Sequence, residues 1–199
     1  MKKYIIACTL FVIVFMMPFY LTYPCGYSAA KTGMIMIVPF LFLLFISPAA
    51  GIMYDRIRSR LLCSVGMGLL ILSLFSLIYI YPGMNISSVL WRISLAGLGT
   101  ALFISPNNTA IMSSVPEHTR GTASGAAATS RNLGMVVGVA LAGLVFSSTF
   151  AKLTNGMTME SYRPEMLDSF MKSYQYAIIT GLGLAVLGLA VTLARGKEK

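Results

Sequence analysis

The sequence predicts an all-α integral membrane protein with six transmembrane helices. Hydrophobic residues make up 57% of the 199 positions and charged residues 11%, and the mean hydropathy is +0.79. Soluble domains carry about 25% charged residues. Six apolar runs reach the roughly 20 residues that a helix needs to cross a bilayer. No segment alternates apolar and polar residues as the strands of a membrane barrel do, so a helical bundle is predicted.

The six predicted spans form one bundle, residues 1–199. They cover residues 4–23, 33–53, 61–81, 89–115, 120–150 and 174–194. The first run follows a pair of lysines, but it is too long for a secretory signal and no small-residue cleavage site follows it. Pro39 and Pro106 predict kinks in the second and fourth spans. Gly134 and Gly138 predict close helix packing in the fifth span, and three further glycines do so in the sixth.

The distribution of positive charge predicts the orientation, because cytoplasmic loops and tails keep an excess of Lys and Arg. The side that carries both termini holds most of the 15 basic residues: Lys2, Lys3, Arg56, Arg58, Arg60, Arg120, Arg131, Arg195, Lys197 and Lys199. Both termini are therefore predicted to be cytoplasmic. Aromatic residues gather at the opposite interface: Tyr20, Tyr23, Tyr27, Tyr79, Tyr81, Trp91, Tyr162, Tyr174 and Tyr176. The net charge of +9 is then a topology signal, and no basic soluble face remains for a nucleic acid.

The polar residues argue against catalytic, metal or cofactor sites. Every acidic residue falls in a predicted loop or tail, so no carboxylate is placed in mid-membrane for a proton relay. The three cysteines lack a Cys-x-x-Cys spacing, which supports neither a disulfide framework nor a zinc site. Ser124 in a small-residue stretch and His118 raise an intramembrane serine protease as an alternative. Its nucleophile and base need separate elements, and these two are neighbours in sequence, so no enzyme is expected.

Two arginines fall within predicted spans, where charge is costly. Arg92 follows Trp91 just inside the outer edge of the fourth span. Arg131 is eleven residues into a fifth helix that starts near Arg120, about 16 Å along its axis. Two interpretations stay open for both: an interfacial side chain that reaches the headgroups, or a side chain that lines a water-filled cavity and meets anionic groups.

A third candidate lies where Pro106 interrupts the fourth span and frees a backbone carbonyl. Asn107 follows it, about 60° around the helix from Arg92, so the two can face one cavity while Asn108 points away. Transporters place broken helices and amide side chains beside a substrate pathway. A purely structural kink, with neighbouring hydroxyls satisfying the backbone, is the alternative.

The polar stretch 51–60, between the second and third spans, predicts a tight loop at the membrane surface. Its pattern of Gly51, Asp55, Arg56 and Arg60 resembles the cytoplasmic signature loop of the major facilitator superfamily. Further matches follow in order along nearly the whole chain: Gly26-Tyr27-Ser28, Pro39, Ser47-Pro48, Gly97-x-Gly99, Pro106-Asn107, Arg120-Gly121 and Arg131-Asn132-Leu133-Gly134. The chain is similar to the C-terminal half of fourteen-helix drug:proton antiporters. It departs from them at Arg58, where the family has glycine, and at Ser59, where a basic residue is common.

The resemblance implies one half of a major facilitator fold, built from an inverted pair of three-helix repeats, in the plasma membrane of a prokaryote. It implies alternating access, with Asp55 and Arg56 holding the cytoplasmic gate and Asn107, Arg131 and Arg92 facing the cavity. The implied substrate is a hydrophobic, often cationic, drug or other small molecule exchanged for protons. Two inward arginines fit an anion better, so the substrate class stays open. The implied partners are the lipid bilayer and an N-terminal half. A homo-oligomer of this chain and a non-functional truncated transporter remain alternatives.

Overall fold

Six long helices, α1 to α6, make up most of the described chain. The computed structural model describes the backbone of residues 2–56 and 59–193 and the side chains of 8–53, 61–159 and 161–190. The helices are α1 Lys2–Thr22, α2 Ala29–Arg56, α3 Ser59–Ile78, α4 Ile86–Ser113, α5 Arg120–Leu153 and α6 Leu167–Leu193. Short 3-10 turns lie before α5 at Glu117–Thr119 and before α6 at Met159–Ser161 and Pro164–Met166.

The helices are long and apolar enough to confirm the predicted class. Five of the described segments could each span a membrane, and a shorter apolar segment, Cys8–Thr22, belongs to α1. Several helices continue past the predicted apolar spans. For example, α6 begins at Leu167, although the predicted span starts at residue 174. Such extensions are expected because a helix satisfies its own backbone hydrogen bonds as it leaves the hydrocarbon.

The prediction of a loop over residues 51–60 was wrong. Helix α2 continues through Gly51 to Arg56, and α3 begins at Ser59. The stretch 51–56 contains no proline and includes the apolar residues Ile52 and Met53, so the modest helix cost of Gly51 does not prevent a further helical turn. The signature segment is therefore mostly helix, and residues 57 and 58 lie outside the described chain.

The packing between helices follows the predicted inverted repeat. Helix α1 crosses α5, α2 crosses α4, α3 packs along α4, and α6 packs along α1 and α3. Exchanging α1 with α4, α2 with α5 and α3 with α6 converts the α1–α5 contact into the α4–α2 contact. It also converts the α3–α4 contact into the α6–α1 contact. One contact breaks this symmetry, because α5 packs on α6 whereas α2 barely contacts α3.

The two symmetry-related crossings depend on glycine. A Cβ atom on Gly138 of α5 would lie 2.7 Å from the Cα atom of Cys8 in α1. A Cβ atom on Gly97 of α4 would lie 2.7 Å from the Cα atom of Pro39 in α2. Both distances are shorter than any real carbon contact, so the backbones approach closely only because glycine has no side chain. Gly134 is also buried in α5, and Pro106 is buried in α4.

Two tyrosines assigned to the outer aromatic belt lie instead in the core. Tyr20 and Tyr174 are fully buried, with ring centroids 5.6 Å apart, whereas Tyr79, Tyr81 and Trp91 are exposed as a belt requires. The Tyr20 hydroxyl donates a hydrogen bond of 2.8 Å to the carbonyl oxygen of Tyr81. This bond links α1 to the connection between α3 and α4. It gives the hydroxyl of the buried Tyr20 side chain a hydrogen-bond partner.

Replacing Tyr20 with phenylalanine is expected to lower the free energy of unfolding by about 1 kcal/mol, because it removes one buried hydrogen bond. The cost stays near this value because the Tyr81 carbonyl also accepts a bond from the Met84 backbone amide. Thermal unfolding of the purified protein in detergent measures the change. Tyr176→Phe is the matched control, since the Tyr176 side chain is exposed, and equal effects of both variants would contradict this role for the Tyr20 hydroxyl.

Candidate functional site

A polar cavity of about 210 Å³ lies between α1, α4 and α5. Its polar lining comes from Asn107 and Asn108 on α4 and from Ser124 and Arg131 on α5. Its apolar lining comes mainly from α1 and α4: Leu10, Phe11, Phe103, Ile104 and Met112. The lining positions on α4 and α5 lie toward the turn that joins those helices. The cavity therefore occupies the half of the bundle that the charge distribution assigns to the cytoplasmic side.

Helix α5 supplies one wall through residues at regular helical spacing. Ser124, Ala127, Ala128 and Arg131 occupy positions i, i+3, i+4 and i+7, which share one face of a helix. Three of the four side chains are small, so this face leaves space beside α4 instead of filling it. The same face continues into Gly138, where α5 packs closely on α1. The cavity thus opens where this close packing ends.

Arg131 lies where the sequence predicts it within α5. The helix begins at Arg120, so Arg131 is eleven residues in, about 16 Å along the axis. Its side chain is exposed and lines the cavity. Within the described residues it makes no hydrogen bond or ion pair, and no described carboxylate lines the cavity. An arginine in this setting presents five unpaired N–H donors to whatever enters.

Helix α4 supplies the amide side chains. It continues through Pro106 without a break, and the Thr109 hydroxyl donates a hydrogen bond of 3.2 Å to the Ser105 carbonyl oxygen. Asn107 and Asn108 both line the cavity, so the prediction that Asn108 points away was wrong. Adjacent residues differ by about 100° around a helix, but the space between α1 and α5 is wide enough to receive both.

Arg92 does not line this cavity, contrary to the prediction. Its guanidinium contacts the Met84 sulfur and lies 5.2 Å from the centre of the Trp91 ring, near the α3–α4 connection. Its backbone carbonyl accepts a hydrogen bond of 2.7 Å from the Ser73 hydroxyl. Arg92 and Asn107 lie at similar angles around α4, but fifteen residues separate them by about 22 Å along the axis. The angular argument omitted this axial distance.

The residues of the predicted gate are only partly described. Gly51 lies in α2 with its Cα facing α4, where a Cβ atom would be 3.2 Å from the Ser105 hydroxyl oxygen. The side chains of Asp55, Arg56 and Arg60 lie outside the described residues. The end of α2 therefore contacts α4 at the residue that precedes Pro106, next to the segment that lines the cavity.

Sequence reasoning missed Asn108, the lining role of Ser124 and the aromatic residues Phe11 and Phe103. The i, i+3, i+4, i+7 pattern from Ser124 to Arg131 was a readable signal for the α5 wall. The apolar residues gave no such signal, because every span is rich in them. His118, the other member of the protease alternative, is exposed in the turn Glu117–Thr119 and does not line the cavity with Ser124.

Comparison with known proteins decides the family. Residues 4–139 match the model of the Major Facilitator Superfamily. The chain belongs to this superfamily. Its fold is that of one six-helix half, and it is a transporter-family protein, not an enzyme.

Its relatives are bacterial transporters. The uncharacterized transporter YebQ of Escherichia coli is 34% identical over 131 residues, covering 66% of this chain and 29% of YebQ. The riboflavin transporter RibZ of Clostridioides difficile is 28% identical over 180 residues, covering 90% of this chain and 38% of RibZ. The multidrug resistance protein Stp of Mycobacterium tuberculosis is 34% identical over 124 residues, covering 62% of this chain and 23% of Stp. The matched region of this chain thus spans less than half the length of each of these relatives.

Proposed function

We propose that this chain is the C-terminal half of a proton-coupled efflux transporter for drugs or other small molecules, which works by alternating access. The observation that carries the proposal is the cavity between α1, α4 and α5, whose lining includes Arg131 and two asparagines from membrane-spanning helices. Polar and ionisable groups are costly in a membrane and mark substrate pathways when they face a cavity. The names of Stp and RibZ support small organic substrates.

The proposal requires a second bundle, and this bundle leaves apolar faces of two helices available for it. Helix α2 exposes large apolar side chains, among them Phe45, which is 71% exposed, and Leu44, which is 65% exposed. The related helix α5 exposes Leu144, which is 68% exposed, and Val136, which is 64% exposed. In the proposed assembly an N-terminal half covers part of these two helices and completes the substrate site. A second copy of this chain is the alternative occupant.

Proton coupling needs a carboxylate that changes its protonation during the cycle. Among the described residues, the acidic side chains Glu117, Glu165 and Asp168 lie in the α4–α5 turn or at the start of α6, away from the cavity. We therefore assign the coupling carboxylate to the other half of the transporter. This half supplies the substrate cavity and, through the end of α2, the cytoplasmic gate.

Filling the cavity is expected to abolish transport. Ala128→Trp places an indole between α4 and α5 where Ala128 now lines the cavity, and Ala126→Trp places the same ring at an exposed position two residues away on α5. Everted membrane vesicles of the source cell, energised by a pH gradient, are assayed for accumulation of ethidium, riboflavin and naphthalene-2-carboxylate. Vesicles from the gene-deleted strain give the background.

Gradient-dependent accumulation of at least one of these compounds is expected, with loss in Ala128→Trp and retention in Ala126→Trp. Membrane content of both variants is measured by immunoblot, so that failed insertion is recognised. Two results would overturn the proposal. One is background accumulation of all three compounds by the unmodified protein. The other is full transport by a well-inserted Ala128→Trp protein.

A further inference from the structure

The cavity carries a net positive charge in the part of the molecule that is described. Arg131 is the charged side chain of its lining, and Asn107, Asn108 and Ser124 add hydrogen-bond donors. The described carboxylate closest in sequence to Arg131 is Glu117, which pairs with Arg120 at 3.1 Å and lies in the exposed turn before α5. Nothing in the described lining neutralises the guanidinium.

An unpaired guanidinium in a cavity with a mixed polar and apolar lining selects among ligands by charge. A cation that enters is repelled and loses hydration, whereas an anion that enters regains in hydrogen bonds what it loses in hydration. The planar guanidinium matches a carboxylate or phosphate through two parallel N–H donors, a geometry that Lys cannot provide. The amide side chains on α4 can donate to the remaining oxygen lone pairs.

The apolar part of the cavity lining defines the rest of the ligand. Phe11 from α1 and Phe103 from α4 contribute aromatic surface, and Leu10, Ile104 and Met112 contribute aliphatic surface. A volume of about 210 Å³ is below the roughly 300–1,000 Å³ of complete ligand pockets, as expected for a site that a second bundle completes. The cavity therefore suits the anionic head and the adjoining ring of an amphipathic molecule.

We propose that this cavity recognises amphipathic anions, with the anionic head on Arg131 and the apolar body against Phe11 and Phe103. The inference rests on the proposed function, because it names the substrate class of the same cavity. Two sources share this chemistry: a free aromatic carboxylic acid and the phosphate of a membrane lipid. The experiment below separates them.

The test measures binding to the purified transporter in phosphatidylcholine nanodiscs by equilibrium dialysis, with empty nanodiscs as blanks. The probe is tritiated naphthalene-2-carboxylate, and the competitors are the neutral naphthalene-2-carboxamide and the cationic 2-naphthylmethylamine. The carboxylate is expected to bind about tenfold or more tightly than the amide, since a hydrogen-bonded charge contributes about 1.5–3 kcal/mol. Arg131→Gln is expected to remove this difference, and Arg131→Lys to restore only part of it.

Lys152→Gln is the matched control, because it removes one positive charge from the same helix at an exposed site about 31 Å along the axis from Arg131. It is expected to keep the preference for the carboxylate. Each variant is first checked for helicity and thermal unfolding. Equal affinity for the three compounds in the unmodified protein would overturn the inference. Equal losses in Arg131→Gln and Lys152→Gln would do so as well.

Lipid composition identifies the source of the anion. If phosphatidylglycerol in the nanodisc weakens binding of the probe only when Arg131 is present, the result supports the anion site with a lipid phosphate as occupant. Unchanged binding supports a free organic acid. The proposed function is tested separately. If ethidium or riboflavin is transported, Ala128→Trp blocks that transport, and the binding assay shows no selectivity for anions, this inference is overturned and the transporter proposal stands.

Discussion

Replacing Gly138 with alanine is expected to separate α1 from α5 and to destabilise the bundle by up to about 2 kcal/mol, because overpacking costs about 1–3 kcal/mol and removing a helical glycine gains about 1 kcal/mol. The new Cβ atom would lie 2.7 Å from the Cα atom and 2.9 Å from the carbonyl carbon of Cys8, and closer still to its carbonyl oxygen. These are backbone atoms, so no side chain can rotate away and one helix must move.

Gly125→Ala supplies the matched control for the crossing of α1 and α5. It makes the same change in the same helix, but a Cβ atom at Gly125 meets nothing within 4 Å. We expect this variant to be as stable as the unmodified protein or more stable, because only the helix propensity changes. Unfolding in a graded denaturing detergent, followed by circular dichroism, compares the two. Equal stability of the two variants would contradict the close approach of Gly138 to Cys8.

The crossing also determines the width of the cavity. Gly138 lies seven residues beyond Arg131 on α5, about 10 Å along the axis, so a shift of α5 at Gly138 moves the wall that carries Arg131. A variant such as Gly138→Ala is therefore expected to alter ligand affinity as well as stability. The small residues of α5 thus have two roles in the structure. Near the middle of the helix they permit close packing, and toward its beginning they leave space.

Much of the fold could be predicted from the sequence because the bilayer restricts the possibilities. The lengths of the apolar runs determine which segments cross the membrane as helices. Helix α5, for example, begins at Arg120 as the sequence indicates. The family resemblance implied that Asn107 and Arg131 face one cavity, whereas the residues alone left a second interpretation of Arg131 open. Hydropathy carries no information on which apolar face meets which neighbour. The crossings of α1 with α5 and α2 with α4 therefore required the structure.

The wrong predictions share a physical cause, which is that a helical wheel gives angles without axial distances or cavity widths. Arg92 shares an angle with Asn107 but lies at the other end of α4, and Asn108 reaches the cavity because the cavity is broad. Tyr20 and Tyr174 are aromatic residues of the kind found in a belt, but they are buried because α1 and α6 pack together there and bring the two ring centroids within 5.6 Å. Residues 51–56 of the predicted loop are helix because polar residues do not by themselves end one.

Replacing Asp55 with asparagine is expected to lower transport about tenfold or more while leaving the protein inserted and equally stable. Asp55 lies in the last turn of α2, where the helix dipole disfavours a carboxylate by about 0.3–1 kcal/mol, so its presence there does not serve helix stability. Its side chain lies outside the described residues, and its role as a gate follows from the proposed function. The route to the cavity is short, since α2 contacts α4 at Ser105, two residues before Asn107. A charge-assisted contact that holds the cytoplasmic gate contributes about 1.5–3 kcal/mol, enough for the expected loss.

The everted-vesicle assay measures this loss for Asp55→Asn, and thermal unfolding in detergent measures the stability of the same protein. Glu117→Gln is the matched carboxylate-to-amide control at the same end of the bundle, because its exposed ion pair with Arg120 contributes little. Transport by Asp55→Asn at the level of Glu117→Gln would remove Asp55 from the gate. Loss of transport accompanied by an equal loss of stability would instead make Asp55 a structural residue of the α2–α3 connection. Only the combination of lost transport and retained stability supports a charge contact that acts during the conformational change and not in holding the bundle together.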